Sequence, residues 1–183
     1  VKKSIASLAA HLRIAEMIGA EGLIFHLGSA KGGSREAAIK KTAAGMQAVL
    51  EQVPGKTKLI MENSAGRGDK LGATLAEIGA IFHAAESARV RVCIDTAHSF
   101  ESGAIETYTP AAIKLFCDEF EKEIGLKNLA ALHINDSKTP ALSHHDRHEN
   151  LGEGFIGLSG FKSLAREKRL HHAAWILEVP GFE

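Results

Sequence analysis

Four of the chain's ten histidines fall within residues 129 to 154, LAALHINDSKTPALSHHDRHENLGEG, where an apolar run ends in His133 and a polar loop then delivers Asp146, Arg147, His148 and Glu149. Imidazoles and carboxylates gathered this closely are the donor set of a zinc or manganese site. In an extended segment residues two apart point the same way, so Asp146 and His148 can grip one cation together while Arg147 points away from it. A solvated histidine-rich loop is the competing reading of this window. The remainder of the chain argues against it.

Five short apolar runs each reach a residue able to bind a metal at or near their carboxyl ends: LIFH (23 to 26) with His26, TKLIMEN (57 to 63) with Glu62, VRVCIDT (90 to 96) with Asp95, LAALHIN (129 to 135) with His133, and AAWILEV (173 to 179) with Glu178. Each is separated from the next by about one strand, loop and helix. In an eightfold β/α barrel, groups at the carboxyl ends of successive strands converge over one mouth. Asp95-Thr-Ala-His98 adds a histidine just past a strand-end carboxylate, and His98 with Asp146 and His148 makes a two-imidazole, one-carboxylate set with open positions for substrate or water. From the residues alone, His26 and Glu62 suggest a second centre, and Asp95, His133 and Glu178 a third. Several divalent cations close together suit displacement at phosphorus, where they lower the pKa of a water, neutralise nonbridging oxygens and stabilise the departing alkoxide. No serine-elbow motif is present, and the glycines at 66 and 68 read as a turn rather than a nucleotide loop.

Helical patterns fill the gaps between the runs: an opening VKKSIASLAAHLRIAEMIGA with Ile5, Leu8, Leu12 and Ala15 on one face, then patterns beginning at Ser34, Asp69, Pro110 and Gly157. Pro110 suits a first helical turn, and Ser34 and Asp69 are candidate N-caps. Strands alternating with helices predict a parallel sheet with its helices outside. The 183 residues, 45% hydrophobic and 24% charged, suit one globular domain. Twenty-two basic and twenty-two acidic residues cancel, so any attraction to nucleic acid must come from a local patch or from bound cations. Cys93 and Cys117 are too few for a disulfide framework or a cysteine zinc site; buried thiols in a reducing cytoplasm are expected. No signal peptide, lipidation motif or membrane-length apolar run is visible. The opening helix has no strand before it, and no helix follows the last run, so an internal piece of a longer protein is expected.

The stretches HLGS (26 to 29), MENSAGRG (61 to 68), CIDTAHSF (93 to 100), HINDSK (133 to 138), DRHENLGEGFIG (146 to 157) and ILEVP (176 to 180) together resemble endonuclease IV, the zinc-dependent apurinic/apyrimidinic endonuclease family of DNA base-excision repair. The resemblance keeps its order over essentially the whole chain. It implies a TIM barrel of which residues 1–183 form a single partial domain covering approximately strands four to eight, without the N-terminal strands and the last helix. It implies three zinc ions, manganese or iron being possible substitutes. His26 belongs to the first, Glu62 bridges first and second, Asp95, His133 and Glu178 complete the second, and His98, Asp146 and His148 hold the third. The implied reaction is hydrolysis of the phosphodiester 5′ to an abasic site in duplex DNA, leaving a 3′-hydroxyl. A hydroxide between the first two zincs would be the nucleophile, with Glu62, Asp95 and His98 as the catalytic set. Lys31, Arg67, Lys138 and Arg147, in loops after strand ends, are the candidates for contact with DNA phosphates.

The family supplies a further histidine to the first zinc from its third strand, which this sequence does not contain, and His11 in the opening helix does not replace it. The first site is therefore expected to be weakened and the isolated chain to have little activity. A cytoplasmic monomer without an obligate protein partner and without a membrane is expected. Two rival readings remain at this stage. One is a single-metal sugar isomerase or epimerase using Glu62, Asp95, His133 and Glu178, which has no need of His98, Asp146 and His148. The other is a catalytically impaired domain that only binds damaged DNA.

Overall fold

The computed structural model describes residues 2–180; Val1, with which the opening helical pattern begins, and Glu183, from which the chain's end was read, lie outside them. The elements run α1 (Lys2–Met17), β1 (Gly22–His26), α2 (Arg35–Gln52), β2 (Lys58–Glu62), α3 (Leu75–Ala84), β3 (Val90–Asp95), α4 (Thr96–Ser102), α5 (Pro110–Glu123), β4 (Leu129–His133), β5 (Asp136–Ser137), β6 (His148–Glu149), α6 (Gly157–Leu164) and β7 (Ala174–Ile176). The five longer strands form one parallel sheet in the order β1-β2-β3-β4-β7. Each strand thus lies beside its predecessor in the chain, as in the wall of a β/α barrel. β5 and β6 pair antiparallel as a separate small ribbon, Ser137 opposite His148.

Alternation along the strands sorts the two faces. Leu59, Met61, Val92, Ile94, Leu132 and Ile134 face the helices and join the large core that α1, α2, α3, α5 and α6 cover. Ile60, Cys93 and Ala131, with Ile24 and Ala130 against them, form a second, small cluster on the opposite, inner face. Two residues beyond Ile24, Ile60, Cys93 and Ala131 along their strands stand His26, Glu62, Asp95 and His133. One apolar layer is therefore the floor on which these four side chains stand.

Helix signals explain most boundaries. Ser34 caps α2 by accepting from the N–H of Ala37, and Pro110 opens α5 behind Thr109, whose hydroxyl accepts from the N–H of Ala112. α1 buries Ala9, Leu12 and Ala15, with Ile5 and Leu8 packed against the core. Three expected boundaries move. The helix expected from Asp69 begins at Leu75, capped by Thr74. Asp69 instead accepts a 2.6 Å hydrogen bond from the N–H of Gly32, while Leu71 N–H donates to Gly28 O and Gly72 N–H to Glu77 Oε2. The first two bonds, with Ala30 N–H donating to Asp69 O, hold residues 69–71 against the loop after β1, and the third ties Gly72 to the first turn of α3. The last helical pattern stops at Leu164, followed by a 3-10 turn at Lys168–Leu170, and the last strand is limited to Ala174–Ile176, the part paired with β4.

Candidate metal centre

The Asp-Thr-Ala-His spacing has a local cause. Asp95 ends β3 and is also the N-cap of α4: its Oδ1 accepts from the N–H of His98 at 2.9 Å, which sets the His98 side chain three residues on, in the first turn of a buried helix. Two asparagines then lock this corner. Asn63, just past β2, accepts from Asp95 N–H at 2.6 Å and donates to Asp95 O at 3.2 Å, so its side-chain amide continues the β2–β3 ladder where the strands have ended. Asn135, just past β4, donates to Asp95 Oδ2 at 2.6 Å and accepts from the N–H of Glu178 at 2.9 Å, tying β3 to the segment after β7. Neither asparagine was singled out in the sequence, although Asn63 stands next to Glu62 and Asn135 two residues past His133.

The eight predicted ligands converge on one end of the sheet. Glu62 is the hub of one side. Its Oε1 lies 2.9 Å from His133 Nδ1 and 3.5 Å from His98 Nδ1, and its Oε2 3.7 Å from His26 Nδ1. His133 Nδ1 is also 2.9 Å from Glu178 Oε2. Asp95 is the hub of the other side, with His133 Nδ1 at 4.0 Å and His148 Nε2 at 3.5 Å from Oδ2. The rings of His26, His98 and His148 follow one another, centroids 5.6 and 5.3 Å apart. Two sets of donor atoms, each within 4.8 Å of one another, emerge: Glu62, Asp95, His133 and Glu178, and Asp95, His98 and His148. Asp95 belongs to both. Asp146, expected with the two histidines, approaches them as well, its Oδ1 3.3 Å from His98 Nε2 and 4.0 Å from His148 Nε2.

Burial and charge agree with this geometry. Glu62, Asp95, His98 and His133 are buried, whereas Glu178 and His26 reach solvent at the rim. Burial alone would lower His98, but the carboxylates of Asp146, Asp95 and Glu62 outweigh it and push the imidazole up to about 9. Contact with His98 in turn holds Asp146 well below the usual carboxylate range. For Glu62, burial works upward, and the facing His133, His26 and His98 reverse it to a net lowering; for His133, burial works downward and Glu62 and Glu178 reverse it to a net rise. Beneath them, burial first and then Glu62 and Asp95 push the Cys93 thiol far up, which keeps it an inert floor residue.

Oxygen and imidazole donors in this number suit a borderline divalent cation such as zinc. His98 Nε2 and His148 Nε2 are both buried and make no well-formed hydrogen bond, each instead facing a carboxylate oxygen, Asp146 Oδ1 at 3.3 Å and Asp95 Oδ2 at 3.5 Å, an imidazole–carboxylate pairing that a cation between them would satisfy. His98 Nδ1 faces Asn63 O at 3.1 Å, so a proton on Nδ1 leaves Nε2 as the lone-pair donor. The residues fit a metal.

The four candidate phosphate contacts are exposed, on loops around this end. Lys31 follows β1 with φ of 52°. Lys138 lies 3.5 Å from Glu149, and Arg147 turns outward, its Nη1 donating to Asp146 O at 2.8 Å. Lys70, not singled out in the sequence, lies 3.5 Å from Asp146 Oδ2.

A parallel sheet in sequential strand order, with carboxylates and imidazoles at its carboxyl edge, is the arrangement of a β/α-barrel protein with a candidate metal site at its mouth. The chain belongs to the xylose isomerase-like TIM barrel family, whose model matches residues 1–183. Over 179 residues it is 34% identical to a protein named probable endonuclease 4 from Carboxydothermus hydrogenoformans, the match covering 98% of this chain and 62% of that protein. Over 182 residues it is 39% identical to a protein of the same name from Halorhodospira halophila, covering 98% of this chain and 61% of that one. The crystal structure of endonuclease IV from Thermus thermophilus superposes with a TM-score of 0.81 at 32% identity, covering 99% of this chain and 63% of that one. The expected resemblance to endonuclease IV and the expected partial barrel are both borne out. The chain spans about three fifths of the length of these relatives. Among the described residues no helix is long and apolar enough to cross a membrane.

Proposed function

We propose that the protein containing this chain is a metal-dependent DNA-repair endonuclease that hydrolyses the phosphodiester 5′ to an abasic site in duplex DNA and leaves a 3′-hydroxyl. The relatives named endonuclease 4 support the class of reaction. The observation that carries it is the adjacency of two donor groups sharing Asp95, an array larger than one cation needs. A single-ion isomerase has no use for His98, Asp146 and His148.

Glu62, Asp95, His133 and Glu178 would hold one zinc, His98, Asp146 and His148 another, and His26 with Glu62 part of a third. Zinc bound there supplies Lewis acidity toward the phosphate and stabilises charge on the departing oxygen. Glu62 and Asp95, each facing several histidines, fix the spacing of the donors, and the Asn63–Asp95–Asn135 bonds hold that spacing rigid. His98, with its Nδ1 held by Asn63 O, presents Nε2 to the mouth. Arg67, Arg147, Lys31 and Lys138 surround the mouth and would position the DNA backbone without reading its sequence.

The test is full-length protein acting on duplex DNA carrying one abasic-site analogue, with cleavage position and end groups read on a gel. Expected are a cut on the 5′ side leaving a 3′-hydroxyl, its loss in a chelator with recovery on added zinc, and its loss in His148→Ala. Fully zinc-loaded protein that leaves the duplex intact sinks the proposal.

A further inference from the structure

Glu101 is a carboxylate with no place in the proposed chemistry. It stands near the end of α4, three residues past His98, with none of its surface exposed to solvent. Burying a carboxylate costs free energy unless hydrogen bonds compensate, so its partners indicate what it is for. Its Oε1 lies 2.8 Å from Ser137 Oγ and 3.2 Å from Thr139 Oγ1, and the backbone N–H of Arg147 donates to it at 3.1 Å. All three groups belong to one stretch, the segment from β5 to β6 that carries Asp146 and His148. The backbone of the same helix end holds that segment too: His144 N–H donates to Glu101 O at 3.0 Å and Leu142 N–H to Phe100 O at 3.3 Å. Leu142 and His144 have φ of 62° and 54°, in the left-handed region that L-residues rarely adopt. The segment's conformation is therefore not its local preference, and it needs an external hold.

We propose that Glu101 is a positioning residue: it fixes residues 137–148 on the end of α4 and so sets Asp146 and His148 at cation-binding distance from His98. The proposal rests on the reading of His98, Asp146 and His148 as a cation site. Its action is selective. Glu62, Asp95, His133 and Glu178 come from strand ends braced by Asn63 and Asn135, and none of these is a hydrogen-bond partner of the Glu101 side chain. Loss of the carboxylate releases one donor group and spares the other.

The experiment compares full-length wild type, Glu101→Ala and Glu101→Gln by zinc content after dialysis against graded chelator, with hydrogen exchange on the metal-free proteins. Expected for Glu101→Ala is an affinity about 10- to 100-fold weaker at one site, in the range seen when a residue supporting a metal ligand is removed. The remaining equivalents stay bound, and the amides of residues 142–147 exchange faster. Glu101→Gln keeps an oxygen acceptor and is expected to restore both readouts. If Glu101→Ala folds poorly, Thr139→Val, which removes one hydroxyl from the network, is expected to show the same selective loss in smaller measure, and wild-type behaviour there overturns the proposal. Unchanged zinc content and exchange in Glu101→Ala, or loss of every equivalent together, also overturns it. Wild type that binds nothing at the His98 group refutes the cation-site reading and the proposal with it.

Discussion

At the scale of single residues, Asp95 is the side chain on which most depends. Its Oδ1 caps α4, its Oδ2 is held by Asn135, and its carboxylate belongs to both donor groups. Asp95→Asn is therefore expected to lower bound zinc by more than one equivalent per chain, whereas His148→Ala, in one group only, lowers it by one. Metal content after gel filtration checks this, and equal losses in the two variants would show that Asp95 is not shared. The position of most of this candidate centre was legible in the sequence, because residues able to bind a metal recur at strand ends with the period of a strand–helix unit. His26, Glu62, Asp95, His98, His133, Asp146, His148 and Glu178 all lie at one end of the sheet, as their spacing predicts. The supporting residues were not legible. Asn63, Asn135 and Glu101 act through partners 32 to 46 positions away, and a polar residue one to three places from a ligand carries no signal of such a partner in its own neighbourhood.

At the scale of elements, helix packing depends on a close approach that only a glycine allows. Gly79, in the middle of α3, lies against the end of α5, and a Cβ there would meet the backbone oxygen of Glu123 at 2.7 Å. That same oxygen is 2.9 Å from His83 Nε2, one turn further along α3, so it cannot retreat without losing this contact. Alanine at position 79 gains about 1 kcal/mol of helix propensity but forces two helices apart, at about 1–3 kcal/mol for overpacking. The net expectation is a loss of up to about 2 kcal/mol, lowering Tm by up to roughly 8 °C for a domain of this size. A thermal melt of Gly79→Ala at or above the wild-type Tm would contradict it. The sequence located the five strands of the large sheet as short apolar runs and the five longer helices by the apolar spacing of the patterns between them. It located neither α4 nor the β5–β6 ribbon. Seven residues and two pairs are too short to show a period, and the ribbon depends on Asp136, whose buried carboxylate accepts the N–H groups of Gly152, Gly154, Ile156 and Gly157 well downstream.

At the scale of the whole molecule, the sheet has two open edges among the described residues, where β1 pairs only with β2, and β7 only with β4. Trp175, Ile176 and Leu177 at the β7 edge are 38%, 39% and 58% exposed, and a cavity of about 990 Å³ opens between α1, α2 and β1, reaching His26. Unpaired strand edges with apolar side chains template association with other chains, and a closed barrel has none. This chain matches 61–62% of the length of these relatives. The edge also borders the weakest part of the candidate centre: His26 is exposed and has Glu62 as its carboxylate partner, whereas His133 lies between Glu62 and Glu178. The 183 residues produced alone are therefore expected to self-associate with rising concentration, bind zinc weakly at the His26–Glu62 pair and nick abasic DNA little. The full-length protein is expected to stay monomeric and nick efficiently. Light scattering coupled to size exclusion, followed by the gel assay on the same fractions, separates the two causes. A monomeric short chain with full activity would mean that neither edge needs a cover and that His26 and Glu62 suffice for their part of the centre. A monomeric but inactive one would place the deficit in the donors around His26 rather than in the open sheet.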